Sequence, residues 1–367
     1  MTGGNGEGFS SIGPEDIRIE SRTYSLKYLY EQVKGEEITL SLRDHSSHHW
    51  RKLQRSEIIE SVLIGLPMTP IYLFENESGI FHVIEGVQRL QSLLSYIDNR
   101  FKLTNLKMLP QYNGFCFTDL PHGLQYKLMQ SQVQVHMLDA RTPKVFLLEI
   151  FSRLNKLSSS TVRRQEFRDI LAEKKVSRLL SDYDSWTWDR ITSYLDKRQV
   201  EQVDVREFVL QFLSFNRVYN REVRHFDFKG NLQDFLDHNL IELNEQCNKE
   251  SAVEEYKATV VSSVEKFEIL YRLQKDQMDR SSRYSTRFFE DRDFVIVWLV
   301  VLSRYSKEQI ARIDSTSFQK VVKKRERAFS FSFSIHKKFR RELTAQSYQQ
   351  IFEWIESCVK EGIGSAY

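Results

Sequence analysis

Apolar residues change their period at residue 85. Residues 81–84 read F-H-V-I, which is typical of a strand, whereas residues 87, 90, 93, 94 and 97 are apolar at helical spacing. Upstream, residues 71–74 (I-Y-L-F) predict another strand, and residues 76–79 (N-E-S-G) predict a turn. The pattern therefore predicts a β-hairpin whose second strand ends at Glu85, turns at Gly86 and continues as a helix, with the turn directed outward.

Further elements of the first half follow from capping and alternation. Ser56 predicts the N-cap of a helix that ends at Gly65, and Thr142-Pro143 predicts the start of a helix that runs to about residue 155. Residues 133–138 (V-Q-V-H-M-L) alternate and predict a strand that joins the sheet of the hairpin, and residues 115–117 predict a short extended segment. The first half is thus predicted to mix strands and helices.

The second half has the pattern of a helical domain. Residues 205–213, 232–243 and 251–273 have apolar faces at helical spacing, and residues 294–302 are apolar on all sides, which predicts a buried helix. We therefore predict an α+β fold with three parts. A disordered lead-in covers residues 1–16, a mixed domain covers residues 17–170, and a mainly helical domain with a basic C-terminal segment covers residues 171–367.

Composition restricts the setting in which the chain works. The hydrophobic fraction of 41% supports an ordinary core, and the net charge of only +3 means that any nucleic-acid surface must be local. The three cysteines lack paired metal-binding spacing and indicate a reducing compartment. No signal peptide is evident, and the longest apolar run is about half of a bilayer span, so we expect a cytoplasmic protein without a membrane partner.

The junction around Gly86 has the chemistry of a phosphate site. A helix that starts directly after a strand leaves its first N–H groups unpaired, Gly86 permits close approach, and Arg89 can fork onto phosphate oxygens. A glycine after a strand is also found in plain turns, and that alternative stays open.

Histidines do not indicate a metal or nuclease site. His45, His48 and His49 lie in a Ser-rich stretch that is better explained as a solvated loop. A nuclease needs a histidine base with nearby metal ligands, and His225, His238 and His336 lack adjacent carboxylates. We predict neither a metal site nor a nuclease within this chain.

A basic segment near the C-terminus is the second candidate site. Residues 315–341 include nine Lys or Arg residues and a single acidic residue, Glu326. Residues 329–335 (F-S-F-S-F-S-I) alternate between aromatic or aliphatic and polar residues, as in a strand. Such a segment suits nucleic acid, although solvated turns beside a half-buried strand explain it too. The candidate residues are Lys320, Lys323, Lys324, Arg325, Arg327, Lys337, Lys338, Arg340 and Arg341.

Four sequence blocks follow one another in the first half of the chain. Residues 59–73 read I-E-S-V-L-I-G-L-P-M-T-P-I-Y-L, residues 83–90 read V-I-E-G-V-Q-R-L, residues 150–155 read I-F-S-R-L-N and residues 165–168 read Q-E-F-R. Together they resemble the GmrSD-type N-terminal domain family of bacterial phage-defence and modification-dependent restriction proteins. The family has similar blocks in this order, the second usually as V-I-D-G-Q-Q-R-L. The resemblance extends over about residues 24–169 and continues weakly beyond.

This resemblance implies a ParB/sulfiredoxin-like domain that binds a nucleoside triphosphate, with Mg²⁺ as a further cofactor and with hydrolysis in several members. Glu85 would be catalytic, whereas Gly86, Gln88 and Arg89 would hold phosphate. Arg153 and Asn155 would contact the nucleotide or support the turn, with capping and surface packing as the alternative. The chain departs from the family at Glu85 and Val87, and a shift of about 1 Å can cost a hydrolase about a hundredfold.

Two functions remain open at this stage. The first is a nucleotide-binding, NTP-hydrolysing regulatory or sensor component of an antiphage or restriction system, which would rely on a separate nuclease or defence subunit and could also bind DNA. The second is a catalytically inactive DNA- or protein-binding module of such a system.

Overall fold

The computed structural model describes residues 18–40, 50–76, 78–157, 164–183, 185–195, 204–219, 231–275, 289, 291–314, 316, 318, 320, 322 and 344–364. The chain divides into two compact units, unit 1 (Met1–Leu171) and unit 2 (Ala172–Tyr367). Unit 1 contains a sheet flanked by helices and the described part of unit 2 is helical, so the fold is α+β.

A mixed five-stranded sheet forms the centre of unit 1. Its strands are β1 (Ile19–Ser25), β2 (Ile38–Thr39), β3 (Ile71–Glu75), β4 (Phe81–Glu85) and β5 (Gln132–Leu138). The spatial order is β1-β5-β3-β4-β2. The pairs β1–β5 and β3–β4 are antiparallel, whereas β5–β3 and β4–β2 are parallel. Because β3 and β5 lie side by side, residues far apart in sequence meet across the middle of the sheet.

The sheet confirms the predicted hairpin and the predicted β5, and it contains two strands, β1 and the two-residue β2, that the pattern did not indicate. β1 reads I-E-S-R-T-Y-S, and most of its residues are exposed. It lacks the apolar alternation of a half-buried strand and is held through its pairing with β5. The predicted extended segment at residues 115–117 holds at Cys116, which has extended dihedral angles, and is wrong at Phe117, which begins the single 3₁₀ turn Phe117–Asp119.

Six α-helices accompany the sheet in the described part of unit 1. They are α1 (Leu26–Lys34), α2 (Lys52–Ile64), α3 (Val87–Ile97), α4 (His122–Met129), α5 (Lys144–Leu157) and α6 (Arg164–Leu171). Gly65 ends α2 in the left-handed conformation, with φ of 90°, as predicted. The predicted N-cap at Ser56 is wrong, because α2 begins about one turn earlier, where Oε1 of Gln54 accepts a hydrogen bond from the backbone N–H of Arg51 at 3.0 Å.

Two polar residues of α2 hold the loop that follows α3. Ser56 is fully buried and its Oγ accepts a hydrogen bond from the backbone N–H of Thr104 at 3.0 Å. The Glu60 carboxylate accepts from the backbone N–H groups of Lys107 at 3.2 Å, Met108 at 2.7 Å and Leu109 at 2.8 Å. These buried side chains replace the backbone partners that an irregular loop lacks.

Unit 2 is built from helices over its described residues. They are α7 (Lys174–Ser181), α8 (Ser185–Tyr194), α9 (Val205–Tyr219), α10 (Leu232–Gln246), α11 (Glu250–Lys275), α12 (Arg292–Leu302), α13 (Lys307–Ala311) and α14 (Ala345–Gly364). The apolar helix predicted at residues 294–302 is confirmed as α12, which packs against α9, α11 and α14. All nine of those residues are buried, which explains why they are apolar all round.

Aromatic rings fill the centre of unit 2. Trp298 on α12 lies 5.1 Å from Phe289, 5.9 Å from Phe318 and 6.3 Å from Trp354, measured between ring centroids. Such contacts stabilise a core through large buried area and through ring geometry. No helix in the described part of the chain has the length and apolar character needed to cross a membrane.

Candidate functional site

The candidate site begins where β4 passes into α3. β4 ends at Glu85, Gly86 adopts the left-handed conformation with φ of 94°, and α3 starts at Val87. A Cβ atom at position 86 would lie 3.0 Å from Cγ1 of Ile71 and 3.1 Å from Nη2 of Arg89. Only glycine therefore fits both the dihedral angle and the space at this turn.

The first turn of α3 presents unpaired backbone donors. Gly86 offers no side-chain cap, and the first helical hydrogen bond runs from the N–H of Leu90 to the carbonyl of Gly86 at 3.0 Å. Within the described residues, the N–H groups of Val87, Gln88 and Arg89 meet no hydrogen-bond acceptor. These N–H groups and the positive end of the helix dipole together favour an anion.

The Arg89 guanidinium binds the segment that leads into β3. Its Nη1 donates to the backbone carbonyl and to the hydroxyl of Thr69, and its Nη2 donates to the carbonyl of Pro70 at 3.3 Å. Nη2 also contacts Oε1 of Glu85 at 3.2 Å. In this structure Arg89 thus ties the start of α3 to the start of β3, and both of its terminal nitrogens are engaged by protein oxygens.

Glu85 and Arg89 form a largely enclosed ion pair. Their side chains are only 9% and 12% exposed, and Gly86, Val87 and Gln88 are buried as well. The expectation that the hairpin directs this motif outward is therefore wrong. Burial follows from the packing of Gly86 against Ile71 and from the segment before β3, where Thr69 and Pro70 contact the guanidinium.

Gln88 connects α3 to the residue that precedes α2. Its Oε1 accepts a hydrogen bond from the backbone N–H of Trp50 at 3.1 Å, and its own carbonyl accepts from Oγ of Ser92 at 2.6 Å. The stretch with His45, His48 and His49 lies just before Trp50 and outside the described residues. Gln88 therefore acts as a structural contact here, with its side-chain oxygen already paired.

A row of side chains crosses the sheet and ends at Glu85. Cα pairing places Ser21 opposite His136, His136 beside Tyr72, and Tyr72 opposite Glu85. Ser21, His136 and Tyr72 occupy regularly paired positions and so share one face of the sheet, and Glu85 lies opposite Tyr72 at a register shift. We call these four residues the polar row. A register shift between Tyr72 and Leu73 brings Glu85 into line with Tyr72.

Three members of the polar row, Ser21, His136 and Tyr72, contact one another in sequence. Oγ of Ser21 lies 2.7 Å from Nδ1 of His136, and the rings of His136 and Tyr72 lie 4.8 Å apart with a tilt of 43°. Ser21 is exposed, whereas His136 and Tyr72 are half-buried. The row therefore descends from solvent at β1 to the buried carboxylate at the end of β4.

The Ser21–His136 contact does not make a hydrolytic triad. A triad needs a carboxylate on the second imidazole nitrogen, and Tyr72 separates His136 from Glu85. Glu85 is two strand spacings from His136, about 10 Å. The arrangement suits binding better than nucleophilic catalysis.

Two further candidates lie apart from the junction or cannot be placed. Arg153 on α5 is exposed and pairs with Glu149 one turn earlier, through Nε and Oε1 at 2.7 Å. The structure describes no contact between Arg153 and residues 85–89 among the residues it covers. The side chain of Asn155 lies outside the described residues.

The basic C-terminal segment lies almost entirely outside the described residues. Lys320 is described and exposed. The other members lie beyond them: Lys323, Lys324, Arg325, Arg327, Lys337, Lys338, Arg340 and Arg341. The predicted strand at residues 329–335 lies outside as well. DNA binding by this segment stays a prediction.

No single sequence motif identifies three residues near the junction, Thr69, Tyr72 and His136. Thr69 contacts the Arg89 guanidinium, Tyr72 is paired with Glu85, and His136 lies one strand further on, beside Tyr72. The alternation of β5 was the signal available for His136, since it places that residue on the polar face. Across the described residues no cluster of three or more His, Cys, Asp or Glu side chains could hold a metal ion.

Comparisons with protein-family models, with curated proteins and with solved structures found no match to this chain.

Proposed function

We propose that unit 1 is a ParB/sulfiredoxin-like nucleotide-binding domain and that the protein is a regulatory or sensor component of a bacterial antiphage or restriction system. The nucleotide phosphates bind at the first turn of α3. The assignment to a defence system rests on the four sequence blocks that resemble the GmrSD-type family. The assignment of the phosphate site rests on the junction itself.

The observation that carries the proposal is the left-handed Gly86 between β4 and α3. It leaves the N–H groups at the start of α3 without a side-chain cap, next to a carboxylate and a guanidinium. Helix N-termini that follow a glycine at the end of a strand bind phosphate because the unpaired N–H groups and the dipole both favour negative charge.

Phosphate binding requires Arg89 to exchange its partners. Its terminal nitrogens contact neutral carbonyl oxygens of Thr69 and Pro70. A phosphate carries formal negative charge and can accept two parallel N–H groups of one guanidinium, whereas each carbonyl is neutral and offers a single acceptor atom. We therefore expect the guanidinium to move from the carbonyls to the phosphate.

Glu85 is suited to hold Mg²⁺ once Arg89 has moved. A Mg²⁺ ion that accompanies a triphosphate usually takes one or two carboxylates together with phosphate oxygens. Glu85 supplies one carboxylate at the end of β4, whose Oε1 is otherwise occupied by Arg89. When bound, the ion would neutralise phosphate charge, while Gly86 and the N–H groups of α3 would position the phosphates.

A binding module without turnover is the second candidate function. The observation in its favour is the Glu85–Arg89 ion pair, because a carboxylate engaged by a guanidinium is not free to orient water. Val87 and Gln88 are buried too, and the Gln88 oxygen is occupied by Trp50. Under this alternative, nucleotide binding survives and phosphate release is lost.

Calorimetric titration of the full chain with ATP and GTP, with Mg²⁺ present, tests the proposal. We expect saturable binding by the unmodified protein and an affinity loss of at least about tenfold in Arg89→Ala, because the guanidinium is the main cationic phosphate partner. Arg89→Lys keeps the charge and loses the fork, so its loss should be intermediate. Absence of binding by the unmodified protein with either nucleotide would refute the proposal.

A phosphate-release assay on the same samples separates the two functions. Release that disappears in Arg89→Ala and in Glu85→Gln identifies a hydrolase. Binding without release identifies the silent module. Circular dichroism of each variant checks that the loss does not come from unfolding.

The basic C-terminal segment is tested with DNA. Charge reversal at Lys323, Lys324 and Arg325 should weaken DNA binding and reduce its salt dependence, because fewer phosphates are neutralised. An unchanged affinity would show that the segment is a solvated surface and would remove DNA from the proposed partners.

A further inference from the structure

We propose that the polar row of unit 1 is the nucleoside half of the nucleotide site: Tyr72 and His136 hold the base and Ser21 orients His136. This inference deepens the proposed function and rests on it, because the phosphates are placed at Gly86. The two can nevertheless be tested separately, since phosphate can be offered without a nucleoside.

The spacing of the strands matches the distance between the phosphates and the base of a nucleotide. Tyr72 is one strand away from Glu85 and His136 is two strands away. Neighbouring strands are about 4.8 Å apart, so the two rings lie about 5 to 10 Å from the strand that ends at the phosphate turn. A sugar fits this interval between the phosphates and a base.

The row has atoms ready for a ligand. Ser21 occupies Nδ1 of His136, which leaves Nε2 for another partner. Among the described residues, Nε2 of His136 and the hydroxyl of Tyr72 have no hydrogen-bond partner. Both atoms are accessible to solvent. A nucleoside offers hydrogen-bonding edges to both atoms.

The row lies at a border between buried and exposed residues on one face of the sheet. On one side of the row, the same face carries the buried residues Leu138, Phe74 and His82. On the other side it carries Thr23 and Gln134, which are exposed. Tyr72 and His136 lie at the border, where a flat ring can stack against them and keep its polar edge near water.

Stacking determines the expected chemistry of recognition. Aromatic side chains stack on every base, so the rings supply affinity with little discrimination. Hydrogen bonds from Nε2 of His136 and from the Tyr72 hydroxyl then set a preference among bases. Ser21 is a positioning residue, since it acts on the ligand only through His136.

The test compares ATP, GTP, CTP and UTP with inorganic tripolyphosphate in calorimetric titrations of the full chain. We expect Tyr72→Ala and His136→Ala each to weaken the preferred nucleotide by at least about tenfold while tripolyphosphate affinity stays within about twofold. Arg89→Ala should weaken both kinds of ligand. Tyr126→Ala removes an exposed tyrosine of α4 and serves as the matched control, with no change for any ligand.

Four results would overturn the inference. Unchanged nucleotide affinity in both Tyr72→Ala and His136→Ala would remove the row while leaving phosphate binding at Gly86 intact. Equal losses for nucleotide and tripolyphosphate would show that the row maintains the fold of the phosphate turn. If the Tyr72→Ala variant does not fold, Tyr72→Phe is measured in its place. An unchanged base preference in Tyr72→Phe would contradict the role of the hydroxyl. A protein that binds neither ligand would refute both proposals.

Discussion

Tyr72 in unit 1 and Tyr348 in unit 2 show how one residue type serves two purposes. Tyr348 on α14 is 1% exposed, its hydroxyl accepts a hydrogen bond from Nε2 of Gln211 at 3.1 Å, and its ring packs 4.8 Å from Phe215. Tyr72 is half-buried, and its hydroxyl has no partner within the described chain. A polar aromatic that is fully enclosed and paired stabilises a core, whereas one left at a border is available to a ligand.

The same contrast separates two carboxylates of unit 1. Glu60 is buried and saturated by three backbone N–H groups. Glu85 is equally buried, but its partner is one guanidinium that also binds neutral carbonyls. The first carboxylate holds a loop in place, and we propose that the second changes partners when a phosphate binds.

The largest expected effect is on the core of unit 2. Tyr348→Ala should lower the free energy of unfolding by about 3–5 kcal/mol, because it removes a buried ring and leaves Gln211 unpaired. Urea denaturation measures the loss. Nucleotide affinity at a temperature where the variant is folded should stay unchanged, and a parallel loss of affinity would contradict the assignment of Tyr348 to a structural role.

Gly86→Ala should be the most damaging small substitution in unit 1. It adds a Cβ to a left-handed residue within 3.0 Å of Ile71, so we expect a loss of about 3 kcal/mol in unfolding free energy together with loss of nucleotide binding. Gly79→Ala is the matched control. Gly79 has φ of 78° and nothing within 4 Å of its Cβ position, so only dihedral strain of about 1 kcal/mol should appear, with unchanged affinity. Equal effects of the two substitutions would show that Gly86 is an ordinary turn.

Glu60→Gln tests the saturated carboxylate. The substitution removes the charge and places an NH₂ group against backbone donors. We therefore expect the free energy of unfolding to fall by about 2 kcal/mol. Glu57→Gln on the same helix is the control, because its 3.9 Å pair with Lys107 is exposed and should be worth less than about 0.5 kcal/mol. Nucleotide affinity should be unchanged in both. Similar stability for the two variants would contradict the structural role of Glu60.

His82 gives unit 1 a dependence on pH. Burial lowers the pKa of His82 from its ordinary 6.5, and its Nε2 lies 3.0 Å from Nδ2 of Asn76. The unfolded chain therefore binds a proton more readily than the folded one, so stability falls as pH drops below about 6.5. Urea midpoints at about pH 7.5 and about pH 5.5 measure this, and His82→Gln should reduce the difference between them. An undiminished difference in that variant would assign the effect to other groups.

The smallest effect is expected at Arg153. Its exposed pair with Glu149 should contribute less than about 0.5 kcal/mol, so Arg153→Ala should leave stability almost unchanged. Nucleotide affinity should change by less than about twofold. A tenfold loss of nucleotide affinity would show that Arg153 takes part in nucleotide binding and would contradict its exclusion from the phosphate site.

The sequence predicted the parts of the fold that depend on local pattern. The hairpin, the turn at Gly86 and the apolar helix α12 each follow from residues a few positions apart. β1 was not predicted because most of its residues are exposed and polar. Its extended structure depends on pairing with β5, more than a hundred residues away. The cap at Ser56 was misplaced because that hydroxyl serves the backbone of Thr104, a contact that no local pattern reveals.

The candidate site divides in the same way. The Glu85-Gly86-Arg89 constellation is visible in the sequence because one strand and one helix supply all of it. The partners of Arg89 and the polar row depend on strand register and on the irregularity between Tyr72 and Leu73. A register shift of one residue moves a side chain to the opposite face, so the sequence could not place Tyr72 opposite Glu85.

A crystal structure of the protein with a non-hydrolysable nucleoside triphosphate and Mg²⁺ tests the central claim most directly. The account predicts phosphate oxygens within hydrogen-bond distance of the N–H groups that open α3, with the Arg89 guanidinium moved from Thr69 and Pro70 to the phosphate. A nucleotide bound elsewhere, with the guanidinium still on those two carbonyls, would contradict it.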